Sequence, residues 1–70
     1  DVSAVESLHE LIINQRDNGA AIMLISEDLD ELFKLSDRII VFYEGEIVKE
    51  FDIHDANINN VGLAMAGSIE

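Results

Sequence analysis

The run Ala20-Ala21-Ile22-Met23-Leu24-Ile25 constrains this chain more than any other stretch. It is six apolar residues without alternation, closed by Gly19 on one side and Ser26 on the other. A run that short between breakers predicts a strand covered on both faces, as in a parallel sheet. The rest of a 70-residue chain offers too little sheet and helix to cover both faces. The run therefore predicts that its neighbours belong to something larger, and the first residue, Asp1 rather than Met, points the same way.

The flanks predict an α/β order. Ser3 and Glu6 fit a capping box, and Val5, Leu8 and Ile12, with Leu11 beside them, repeat at helical spacing. A helix from about Ser3 to Asp17 is expected, stopped by Asn18-Gly19. On this reading His9 lies off the apolar stripe, as a surface or interface residue. Ser26 is expected to cap a second helix whose first turn carries Glu27, Asp28, Asp30 and Glu31. Its inward face is Leu29, Leu32 and Phe33, and it ends near Leu35-Ser36.

Arg38 to Tyr43 is β-branched and aromatic, Glu44-Gly45 is a two-residue turn, and Glu46 to Phe51 alternates. These predict a hairpin, reached from the first strand by a connection just long enough for a right-handed parallel crossover. Asp55 is expected to cap a last helix with Ile58, Val61 and Met65 facing in and Gly67 as its stop. The predicted order is α-β-α-β-β-α over a single domain, residues 1–70, with two parallel strands and a terminal hairpin.

Fifteen acidic and four basic residues give a net charge of −11. That surface repels phosphate backbones and anionic lipid, so nucleic acid is not an expected partner. With no Cys, neither disulfides nor thiolate metal sites are available. No apolar run approaches the roughly 20 residues of a membrane span, and no signal segment is present. Among chemistry-bearing groups, His54 between Asp52 and Asp55 could take a stray divalent ion. The carboxylates Glu27, Asp28, Asp30 and Glu31 share helix faces, but they lack the loop spacing of a six-oxygen cation site and suit the helix dipole without one.

One stretch carries a family resemblance. The string IMLISEDLDELFKLSDRIIVFYEGEIV, with Leu35-Ser36-Asp37-Arg38-Ile39 and Tyr43-Glu44-Gly45-Glu46-Ile47 at its centre, resembles ATP-binding-cassette ATPases from their switch-histidine strand into the following hairpin. Asp1-Val2-Ser3 resembles the end of the D-loop. Gly62-Leu63-Ala64-Met65-Ala66-Gly67 resembles the closing segment of the ATPases of simple-sugar and nucleoside importers. The resemblance implies a partial P-loop NTPase (RecA-like) core, the C-terminal part of a nucleotide-binding domain. It implies Asp1 facing a partner cassette, and Ser26 and Glu27 near the γ-phosphate.

It also implies a departure. Glu27 stands where the switch histidine is expected, as in the degenerate second cassette of tandem sugar importers. A carboxylate there only accepts hydrogen bonds and repels the γ-phosphate. No catalytic residue is therefore assigned, and no metal ligand. ATP and Mg are implied for the full-length parent and neither for these residues alone, because the Walker A, signature and Walker B motifs are absent from the chain. Implied partners are a second cassette and transmembrane permease subunits, with a cytoplasmic location at the inner face of the membrane. The unpaired strand edges predict self-association. Two readings from other classes are an acidic protein-interaction module and a small carboxylate metal-binding protein.

Overall fold

The computed structural model describes residues 1–67. Its elements are α1 (Val2–Asp17), α2 (Leu29–Leu35), β1 (Arg38–Tyr43), β2 (Glu46–Asp52) and α3 (Ile58–Met65). β1 and β2 form a two-stranded antiparallel sheet in the register Ile39 opposite Phe51 and Tyr43 opposite Glu46. The turn between them places Glu44 at φ 50° and Gly45 at φ 82°. Two successive left-handed residues make the primed turn whose twist matches a hairpin. The register slips between Val41 and Phe42, leaving Val48 as the extra residue of a bulge on β2.

The core lies on one face of this hairpin. Ile39, Val41 and Phe51 are buried there against Val61 and Ala64 of α3, and Leu29, Leu32 and Phe33 of α2 close its side. α3 turns in Val61 and Ala64 rather than the expected Val61 with Ile58 and Met65, which flank the buried line and stay largely exposed. Gly67, at φ 85°, ends the helix as expected. A Cβ there would come within 2.8 Å of the Tyr43 ring, so the glycine also admits the aromatic side chain.

The expected parallel pair does not form. Ala20–Ile25 makes no ladder with any strand among the described residues, and Met23 and Ile25 are 87% and 89% exposed. The reason is physical: a strand that is apolar on both faces is stabilised by pairing and two-sided cover, and β1 and β2 satisfy only each other. A cleft of about 830 Å³ opens instead between Ala20–Ser26 and β1.

Each expected helix cap shifts by two residues. α1 begins at Val2 because the Asp1 carboxylate accepts the Ser3 N–H at 3.0 Å, so Ser3 lies inside the helix. α2 begins at Leu29, capped by Asp28, because the Ser26 hydroxyl accepts the Asp28 N–H at 3.0 Å in a local turn that delays the helix. Glu27 therefore precedes α2 rather than sitting in its first turn. α3 is capped by Asn57, not Asp55. Asp52–Asp55 is occupied by a turn, and Asn57 and Asn60 exchange side-chain to backbone hydrogen bonds at 2.8 Å each.

α1 also inverts its expected face. Val5, Leu8 and Leu11 are exposed, and His9 is buried at 7%. The inward line is His9, Ile12, Ile13 and Arg16, which share a helix face at i, i+3, i+4 and i+7. Asn18-Gly19 ends the helix as expected: Gly19 at φ 94° and the bonds Gly19 N–H to Arg16 and Ala20 N–H to Gln15 form a Schellman stop.

Candidate functional site

The junction between the unpaired run and α2 is a chain of side-chain to backbone bonds. Ser26 Oγ accepts from the Asp28 N–H, and Asp28 Oδ1 accepts from the N–H groups of Asp30 at 3.0 Å and Glu31 at 3.3 Å. The Glu31 side chain then reaches α1, where His9 Nε2 donates to its Oε2 at 2.7 Å. A carboxylate only accepts, so the proton of the imidazole sits on Nε2. Nδ1 is left buried with no hydrogen-bond partner.

His9 Nε2–H and, more loosely, the Ser26 hydroxyl hold the Glu31 carboxyl below the usual carboxylate range, while desolvation pushes the other way. A folded value below the unfolded one means the ionised form is favoured by folding. The resulting stability is complete above the ordinary Glu value of about 4.3. It is lost as pH falls from there through the folded value. Urea midpoints taken between about pH 3 and pH 6 should therefore fall on acidification, and Glu31→Gln should flatten that acid limb. A Glu31→Gln profile parallel to the original would contradict the assignment.

The expected site residues are only partly brought together. Ser26 is half-buried within the junction, while Glu27 is exposed beside it and makes no side-chain hydrogen bond among the described residues. Asp1 is committed to the N-terminus of α1, and no hydrogen bond joins it to Ser26 or Glu27. At the α2 N-terminus Asp28 already takes the amides of Asp30 and Glu31. At His54 the Asp52 carboxylate turns to the His54 backbone N–H instead of its ring. Among the described residues no three His, Cys, Asp or Glu side chains converge on a metal position. Of the carboxylates Glu27, Asp28, Asp30 and Glu31, that of Asp28 caps α2 and that of Glu31 joins His9.

Sequence reasoning missed His9 and Glu31 as a pair. The signal was the second helical line through His9, Ile12, Ile13 and Arg16, which competes with the more apolar Val5-Leu8-Ile12 line.

No family model matches the chain, and no solved structure matches it. Among curated proteins it is 52% identical over 67 residues to a glucose import ATP-binding protein of Haloferax volcanii, covering 96% of this chain and 12% of that protein. It is 43% identical over 70 residues to a guanosine import ATP-binding protein of Bacillus subtilis, covering 100% and 14%. A ribose import ATP-binding protein of Caldanaerobacter subterraneus is 39% identical over 67 residues, covering 96% and 14%. The chain spans about an eighth of the length of these relatives. Along nearly its whole length the chain is homologous to one segment of ABC import ATP-binding proteins, whose curated members here are sugar and nucleoside import proteins.

Proposed function

We propose that the chain is the C-terminal part of a nucleotide-binding domain in an importer's ATP-binding subunit, carrying the D-loop end and the switch junction. The observation that carries this reading is identity along 96–100% of the chain to importer ATP-binding proteins for glucose, guanosine and ribose. The unpaired Ala20–Ile25 run supports it, because the cleft between that run and β1 is a place for sheet from the remainder of such a domain.

In this reading the segment helps sense nucleotide rather than hold it. Its own residues do not fit ATP or Mg: the sequence has no glycine-rich phosphate loop, and among the described residues no carboxylates converge on a cation. The rest of the domain would hold the nucleotide. What these residues supply is one wall, with Ser26 and Glu27 at its edge. Glu27, an acceptor that repels phosphate, weakens the position where a donor would stabilise the transferring group. Asp1, at the head of α1, faces the second cassette. Transmembrane permease subunits are the other partner, which puts the subunit on the cytoplasmic face of the membrane. Among the described residues no helix is long and apolar enough to cross it.

Calorimetry tests the reading. The 70-residue chain should show no saturable ATP binding, and the longer gene product should bind and hydrolyse ATP. Micromolar binding by the chain alone would overturn the assignment. The alternative of a carboxylate metal-binding protein has no convergent ligand set to support it.

A further inference from the structure

We infer that His9 is a positioning residue that pins the Ser26–Asp28 junction to α1. The inference rests on the proposed role of that junction, and it starts from how lightly α1 is otherwise held. Val2, Val5, Leu8 and Leu11 face outward. Among the described residues the bond from His9 to Glu31, 22 residues apart, is the only hydrogen bond or ion pair joining α1 to another element. The two other ion pairs stay within α1, as Arg16 with Asp17, or within the hairpin, as Arg38 with Glu50.

The partner is placed to transmit what His9 does. Glu31 donates its own N–H to Asp28, and Asp28 donates its N–H to Ser26 Oγ. The three residues form a chain that brackets Glu27, and His9 holds that chain at its Glu31 end. A shift of α1 along its axis therefore moves the backbone at Ser26–Asp28. Asp1 caps the other end of the same helix two turns away, so the D-loop end and the switch junction share one rigid element.

Packing alone does not call for this residue. The histidine leaves Nδ1 dry and unpartnered, a desolvation penalty that a leucine of the same place would not incur. What leucine lacks is the Nε2–H that grips Glu31.

The test uses the gene product that contains this segment. His9→Leu should lower kcat for ATP roughly tenfold, with KM for ATP within about twofold, since misplacement away from the chemistry acts on turnover. His9→Gln, whose amide can still donate to Glu31, should recover most of the loss. In a Glu31→Leu background, His9→Leu should cost nothing further. In the same protein labelled with ¹⁵N-histidine, the Nε2 of His9 should report a bound proton.

Wild-type turnover in His9→Leu would overturn the inference, as would equal losses in His9→Leu and His9→Gln at unchanged melting temperature. An Nε2 without a proton would also overturn it. If the wild-type protein does not turn over ATP, the functional reading fails instead, and the ring-nitrogen measurement still decides whether His9 grips Glu31.

Discussion

Phe51→Ala should remove the cooperative unfolding transition of the isolated chain, whereas Phe42→Ala should leave it nearly unchanged. Both phenylalanines lie on the hairpin, on opposite faces. Phe51 is 7% exposed and packs with Ile39, Val41, Val61 and Ala64, while Phe42 is 65% exposed. Truncating a buried phenylalanine costs about 3–5 kcal/mol in lost transfer energy and residual cavity. A weak attraction from the Lys49 ammonium, 6.0 Å from the Phe51 ring centre, goes with it. At ~0.05–0.15 kcal/mol per residue, a chain of this length has only about 4–10 kcal/mol to lose. The open cleft beside β1 places it toward the lower end. Urea titration by circular dichroism should show a sloping baseline for Phe51→Ala and an unfolding free energy within about 0.5 kcal/mol of the original for Phe42→Ala. Equal effects of the two substitutions would mean that the core does not lie on the Ile39–Phe51 face.

The contrast between these two residues also shows which parts of the fold were legible. The hairpin was readable because its information is local: β-branched and aromatic residues before Glu44-Gly45 and alternation after it specify strands and turn together. α1 and α3 were readable as helices for the same reason. Their orientation was not, because α1 carries two competing lines through Ile12, and only the neighbours decide which faces in. His9 on the buried line and Leu8 on the exposed one reverse the usual preference. The Glu31 carboxylate, far away in sequence, is what makes that reversal tolerable. Cap positions slipped by two residues wherever two good capping side chains stood two apart, as Asp1 and Ser3, Ser26 and Asp28, or Asp55 and Asn57 do. At Asp28 the carboxylate takes two backbone N–H groups, where Ser26 takes one and is drawn into the preceding turn.

Ala20–Ile25 was legible in composition and not in pairing. A two-sided apolar run states what it needs, and its partner is not among the described elements. The same holds for the junction, whose local bonds join Ser26, Asp28, Asp30 and Glu31 and leave the Glu27 side chain outside them. Glu27 shows this most plainly, since nothing in its surroundings turns an exposed carboxylate to a chemical use.

The unmet pairing has a measurable consequence, which is self-association that grows with salt. At a net charge of −11, two copies repel each other at low ionic strength. Raising KCl to about 1 M shortens the screening length to roughly 3 Å and removes most of that barrier. The attraction it uncovers lies at Ala20–Ile25 and the unpaired edge of β1, where Met23 and Ile25 stand almost fully exposed. The outer edge of β2 is guarded by Lys49, Glu50 and the bulge at Val48. Light scattering across concentration should therefore show a monomer at low salt and dimers or larger species at high salt. Met23→Lys with Ile25→Lys separates the two forces, because the lysines bring the net charge closer to zero and so weaken repulsion while they remove the apolar edge. If pairing at this run drives association, the double variant stays monomeric at every salt concentration despite its lower charge. Association equal to or stronger than the original would show that charge alone governs contact between copies, and that the run is not the adhesive surface.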